Sequence, residues 1–189
     1  MLPDQIKTFR EMVTLKDGVY VLLRPLVRED RPHLDELFLP VSDDDMRYFR
    51  HSNIKDPNLL QGWCDHLDYD EVLPLLALVK DHAVGSGSLH FFKGPKRHIG
   101  EVRLFLSKEY RKRGLGMKMI KVLVEFARKQ GLSMLTAEII ADKTKVVRAF
   151  EQIGFVSQCT LEDFFMFPDG DCTDVVFMTL CLKPRADEF

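Results

Sequence analysis

A predicted strand over Gly100 to Ser107 runs into Arg111-Lys112-Arg113-Gly114-Leu115-Gly116, and a predicted amphipathic helix over Met117 to Gln130 runs out of it. A glycine-bearing turn between strand and helix constrains a fold sharply. It puts a helix start at the end of a sheet strand and leaves the first N–H groups without intrahelical partners. With the positive end of the helix dipole, those groups form a cradle for phosphate. No Gly-Lys-Ser/Thr follows, so the turn is not a P-loop. It has no third glycine and no early βαβ unit, so it is not a dinucleotide fingerprint. The expected ligand is a phosphate-bearing small molecule.

Periodicity orders the rest of the chain around this turn. Ile6, Phe9, Met12 and Val13 at helical spacing predict a short helix within residues 3–15, part of an N-terminal helical arm over residues 1–18. Asp17-Gly18 is a turn, and Val19 to Leu26 reads as a strand. Asp30 followed by Pro32 predicts a helix over residues 31–38. Asp43 to Phe49 and Pro57 to Leu67 read as short helices. Pro74 to Lys80, Ala83 to Lys93 and His98 to Ser107 are three strands joined by tight turns, an antiparallel meander. A strand over Met134 to Ile140, a helix over Asp142 to Ile153 and a hairpin of Phe155 to Phe167 with Cys172 to Lys183 follow. The expected fold is a single mixed α/β domain over residues 19–183, with a frayed tail over residues 184–189.

Composition excludes several classes. A net charge of −2 argues against wholesale nucleic-acid binding. No apolar run approaches the roughly 20 residues that span a bilayer, and the first residues lack a signal-peptide pattern, so a cytoplasmic protein away from membranes is expected. Cys64, Cys159, Cys172 and Cys181 form no C-x-x-C pair and have no histidine at metal-ligand spacing. They are expected as reduced residues in or near the core, and no metal is expected. The acidic run Asp65, His66, Asp68, Asp70 and Glu71 has no ordered ligand spacing and reads as a loop that attracts a cationic substrate.

Arg111-x-x-Gly114-x-Gly116 between strand and helix resembles the Arg/Gln-x-x-Gly-x-Gly/Ala motif of the GNAT acetyltransferase superfamily. Phe150-Glu151-Gln152-Ile153-Gly154-Phe155 is similar to that superfamily's Tyr-x-x-x-Gly-Phe segment, and the element order matches from Val19 to Lys183. Leu23-Arg24-Pro25-Leu26, Glu29-Asp30, Arg47-Tyr48-Phe49-Arg50 and Leu67-Asp68-Tyr69-Asp70 further resemble the acetyltransferase domains of bacterial protein lysine acetyltransferases. The resemblance implies a mostly antiparallel central sheet of about seven strands flanked by helices. It also implies acetyl-CoA as acyl donor and a primary amine as acceptor, either a protein lysine or a small molecule. A homodimer is common among the resembling proteins.

The resemblance assigns roles by position. Arg111, Lys112, Arg113, Gly114, Leu115, Gly116 and Met117 would hold the pyrophosphate. The backbone of Leu104, Phe105 and Leu106 would pair with the pantetheine arm and polarise the thioester carbonyl. An amine of the lysine type must lose a proton before it attacks, and the resemblance makes Glu101 the general base. Period-2 alternation puts Glu101, Arg103 and Phe105 on one face and Val102, Leu104 and Leu106 on the other. A structural reading of Glu101 is that it pairs with Arg103. Two positions depart from the pattern: Phe150 replaces a tyrosine that can protonate the leaving thiolate, and Lys143 replaces a cofactor-contacting asparagine. These departures favour, as the alternative, a non-catalytic acyl-CoA-binding sensory or regulatory module. His90, on the strand beside Glu101, could line the acceptor site.

Overall fold

A computed structural model describes residues 3–46, 48–49 and 53–182. Arg47, Arg50, Lys183 and the tail expected over residues 184–189 lie outside the described residues, as do Met1 and Leu2 of the expected arm. The elements in chain order are α1 (Pro3–Thr8), β1 (Glu11–Thr14), β2 (Tyr20–Pro25), α2 (Arg31–Phe38), α3 (Asp43–Met46) and α4 (Pro57–Asp65). They continue with β3 (Val72–Val79), β4 (His82–Phe91), β5 (Ile99–Leu106), α5 (Leu115–Lys129), β6 (Met134–Ile140), α6 (Thr144–Glu151), β7 (Val156–Met166) and β8 (Cys172–Cys181).

The strands form one eight-stranded sheet in the order β1-β2-β3-β4-β5-β6-β8-β7. Every neighbouring pair is antiparallel except β5 with β6, which α5 connects as a crossover. The expected meander is β3-β4-β5. Its first turn takes two residues, Lys80 and Asp81, at φ +49° and +68°. Two successive left-handed residues match the right-handed twist of a tight hairpin.

The eighth strand is β1, within a segment whose apolar spacing reads as helix. The helix stops at Thr8, and residues 11–14 pair with β2 in the register Glu11↔Leu23 to Thr14↔Tyr20. Ile6, Phe9 and Val13 all pack on the core, so a helix and a strand serve the burial that one helix was expected to serve. Apolar spacing over so short a span does not separate the two.

Each face of the sheet carries its own core. On one face α5 packs over Val21, Leu23, Leu75, Ala77, Leu89 and Val102, joined by Phe150 of α6 and Phe9, whose ring meets Phe126 edge-on at 4.7 Å. On the other face α2 and α4 bring Leu34, Leu37, Phe38, Leu60 and Cys64 against Leu26, Leu76 and Leu78. Cys64 is buried as expected, but Cys159, Cys172 and Cys181 are exposed. The reason is position: β7 is an edge strand, Cys172 opens the β7–β8 hairpin and Cys181 ends its strand. No helix among the described residues is long and apolar enough to cross a membrane.

Candidate active site

The sheet splits between its two parallel strands. β5 and β6 pair only over Ile99–Glu101 and Met134–Thr136. Beyond Glu101, β5 stays with β4 out to Gly85↔Leu106, while β6 stays with β8 out to Ile140↔Val175. The backbone from Val102 to Leu106 therefore faces a notch rather than a strand. Glu101 stands at the narrow end of the notch, and the turn at residues 111–116 stands beyond the wide end.

The turn folds as its glycines require. Gly114 is the N-cap of α5 at φ +88°, a left-handed conformation costly for any residue with a Cβ. The bond from Lys118 N–H to Gly114 O is 3.4 Å, so the N–H groups of Leu115, Gly116 and Met117 precede the first intrahelical bond. A Cβ on Gly116 would come within 3.1 Å of Leu104 Cδ2, so glycine lets the helix start lie close against β5. Lys112 is exposed, at φ +61°. Replacing Gly114 by Val is expected to lower the melting temperature by several degrees, read by calorimetry. Strain of about 1–3 kcal/mol at such a φ is relieved only by moving the turn.

The arginines of the turn are held by protein groups on both sides. Arg111 donates from Nε to Leu106 O (3.0 Å) and from Nη1 and Nη2 to Asp45 of α3 (3.5 and 3.1 Å), with its guanidinium 5.8 Å from the Phe105 ring centre. Arg113 pairs with Asp17 at 2.5 Å, donates to Glu109 O at 3.2 Å and lies over Tyr110 at 4.6 Å. The Lys16 N–H donates to Arg113 O at 3.3 Å, so the β1–β2 loop braces the turn from outside. No local sequence signal links positions this far apart. The residues left facing the notch are mainly backbone: Leu104 and Leu106 turn their side chains toward α5, and Phe105 packs on Phe38 and Phe49.

At the narrow end Glu101 is 4% exposed. Arg103, two residues along the same face, grips both carboxylate oxygens: Nε to Oε1 at 3.2 Å and Nη2 to Oε2 at 2.9 Å. The anticipated pair is real: its carboxylate is buried, while the Arg103 guanidinium end is partly exposed. On the neighbouring strands His90 and Thr136 stand directly opposite Glu101, and Ser88 stands opposite Arg103. Ser88 carried no expectation, although period-2 spacing from His90 puts it on the same face.

Beside the wide end lie residues 42–46, Tyr48 and Phe49. Lys108 Nζ donates to Ser42 Oγ at 3.0 Å and lies 3.5 Å from Asp45. Burial pushes the Asp45 pKa up, but the bonds and charge of Arg111, with Lys108, outweigh it and hold the carboxyl below its ordinary value. Across the notch Lys143 Nζ donates to the Tyr48 hydroxyl at 3.1 Å, and the Tyr48 ring meets Phe167 edge-on at 5.7 Å. Burial works against the Lys143 charge, yet the bonds to Tyr48 and Asp142 raise its pKa overall. Phe150 is buried, with its ring 5.0 Å from Phe155.

A family model for the acetyltransferase (GNAT) family matches residues 37–155. The chain belongs to that family. It is a GNAT acetyltransferase with the family's mixed α/β fold, built here on eight mostly antiparallel strands. Among solved structures, the GNAT domain of PAT from S. lividans matches with a TM-score of 0.73 at 19% identity, covering 96% of this chain and 99% of that one. The ribosomal-protein-alanine N-acetyltransferase from Brucella melitensis gives 0.73 at 22% identity, covering 84% and 98%. YncA from Salmonella typhimurium, solved with its cofactor acetyl-CoA, gives 0.72 at 17% identity, covering 89% and 98%. Identities this low speak for the fold alone. Within this GNAT chain, the motif turn and the segment ending at Phe155 lie on opposite sides of the split between β5 and β6. Among the described residues, no group of three His, Cys, Asp or Glu side chains is placed to hold a metal ion.

Proposed function

We propose that this GNAT protein transfers the acetyl group of acetyl-CoA to a primary amine, with Glu101 as general base. The observation that carries the reading is a buried carboxylate at the narrow end of a split sheet whose wide end opens onto a helix N-terminus. The N–H groups of Leu115, Gly116 and Met117 suit a diphosphate. The β5 edge that β6 leaves beyond Glu101, along Val102 to Phe105, suits the amide-bearing arm behind it. Such an arm would bring a thioester toward Glu101. The carboxylate would take the amine proton, directly or through water, as nitrogen attacks the thioester carbon and the C–S bond breaks. A backbone N–H of Leu104 to Leu106 would polarise the carbonyl. Phe150 cannot supply a proton to the leaving thiolate, so that proton comes from water or another donor.

Resemblance to the lysine acetyltransferase domains favours a lysine side chain as acceptor. The test is calorimetric titration with acetyl-CoA, then measurement of free thiol released with lysine peptides, protein N-termini and polyamines. Acceptor-dependent thiol supports the reading. Binding without it would instead favour a non-catalytic acyl-CoA module, the alternative suggested by Phe150 and Lys143.

Asp45 bears on the same site. Its carboxylate holds Arg111 and Lys108 beside the wide end, where a polyphosphate would bring further negative charge. Asp45→Asn is expected to tighten acetyl-CoA binding by about three- to tenfold at low salt, with the difference shrinking as salt screens the repulsion. Unchanged or weaker binding at low salt would show that Asp45 does not oppose the ligand.

A further inference from the structure

β1 ends the sheet, and among the described residues it pairs with β2 alone. The register fixes where its backbone groups point. The Leu15 N–H donates to Val19 O at 2.8 Å, and bonded and non-bonded pairs alternate along an antiparallel ladder. Val13↔Val21 and Glu11↔Leu23 are therefore bonded pairs, whereas Met12 and Thr14 turn their N–H and C=O groups away from β2. Lys16, next in the outward set, donates its N–H to Arg113 O at 3.3 Å. Met12 and Thr14 are exposed. An edge of this kind is a template for one more strand.

A groove flanks this edge on each face of the sheet. One, of about 290 Å³, lies between β1 and α5, with Val13, Val122 and Phe126 among its walls. Lys118, Lys121 and Lys129 line it too, and among the described residues none of the three forms an ion pair. Glu125, on the same stripe of α5, is committed to Arg128 at 2.5 Å. Glu11 offsets one of the three lysine charges, so the groove stays net positive. The other groove, of about 480 Å³, is lined by Met12, Tyr20, Leu22 and Leu78. Met12 is 61% and Tyr20 67% exposed, so large apolar side chains stand uncovered there. A strand laid on β1 would send alternate side chains to the two faces. The lysine face suits acidic side chains, and the Met12 face suits apolar ones.

We propose that the free edge of β1 docks an extended segment of a partner protein in which acidic and apolar residues alternate, an antiparallel ninth strand of the sheet. Main-chain bonds to Met12 and Thr14 hold the segment, and the two grooves select its side chains. Charge favours such a partner over a second copy of this chain. The edge segment of a second copy, Glu11-Met12-Val13-Thr14, brings one carboxylate to a groove with three lysines. The docking is independent of the acetyl-transfer reading and is measured by binding alone.

The probe is the fluorescein-labelled peptide Glu-Val-Glu-Tyr-Glu-Val-Glu, titrated with the full chain and followed by anisotropy. Micromolar binding that weakens with added salt is expected. Lys118→Ser combined with Lys121→Ser is expected to weaken it about tenfold or more, with the melting temperature near wild type. Met12→Pro removes one outward donor, which an edge strand tolerates, and is expected to weaken binding similarly. The same question is put to wild-type protein with the peptide N-methylated at its apolar residues, whose N–H groups face Met12 and Thr14 in antiparallel pairing. That peptide is expected to bind about tenfold more weakly or worse. No binding of the acidic peptide at submillimolar protein overturns the proposal. Equal binding of the N-methylated peptide, or of a peptide with Lys in place of Glu, also overturns it. Sedimentation that shows a wild-type dimer, dissociated by Met12→Pro, would put a second copy on the edge and overturn the partner segment.

Discussion

Glu101→Gln is expected to lower kcat for acetyl transfer by about 10²- to 10⁴-fold at pH 7, the range for a positioned acid–base group. Glutamine has nearly the same shape and can still accept one bond from Arg103, so the loss would reflect chemistry rather than collapse. The KM for acetyl-CoA should stay within a few-fold of wild type, because Glu101 lies at the end of the notch away from the turn at Gly114. The alternative role of Glu101, as the buried partner of Arg103, predicts a lower melting temperature and no selective fall in kcat. A kcat within a few-fold of wild type across pH 6–9 removes Glu101 as base.

Asp30→Ala is expected to cost about 3–5 kcal/mol of stability, because it leaves a buried cation without its partner. Asp30 is 3% exposed and Arg24 9% exposed. Arg24 donates to both oxygens of Asp30, at 2.5 and 2.6 Å, and the Val27 N–H adds a third bond at 2.8 Å. His33 Nδ1 lies 3.1 Å from Asp30 Oδ1, without hydrogen-bond geometry. For a chain of this length the loss corresponds to roughly 6–20 °C in melting temperature. The double variant Arg24→Met with Asp30→Leu should recover much of it, since two apolar residues remove both desolvation costs. A single-variant loss under about 1 kcal/mol would mean that the pair is effectively solvated.

The same pair sets a pH dependence. Burial pushes the Asp30 pKa up, but Arg24, the Val27 N–H and His33 outweigh it, and the net shift is downward from 3.8. A carboxyl with a depressed folded pKa stabilises the fold fully above its unfolded value. That contribution is lost as pH falls below about 4 toward the folded value. Urea unfolding at pH 3 and pH 7 should show a smaller difference in Asp30→Ala than in wild type.

Much of the fold was legible because strand and helix periods are local. The spans expected for α2 and β6 coincide with those observed, and α5 starts two residues earlier than expected, at Leu115. That shift puts Leu115 and Gly116 inside the first turn of the helix, where their N–H groups face outward. The β1 segment was misread because Ile6, Phe9, Met12 and Val13 satisfy helical spacing as well as a helix followed by a strand. The cysteines of β7 and β8 were misread because apolar neighbours along the chain do not reveal an edge strand.

Sequence alone determined the strand–glycine turn–helix unit, the family it signals and the face on which Glu101 lies, since each depends on spacing within a few residues. Only the tertiary structure decided what the charged groups do. Arg111 is committed to Asp45 and Arg113 to Asp17, 66 and 96 positions away in the chain. It also decided that Glu101 is buried in its pair with a half-buried Arg103, that Ser88 and His90 stand beside it, and that β5 parts from β6 just beyond Glu101. An ion pair or a strand register between distant segments depends on which surfaces pack together, and no local period encodes that choice.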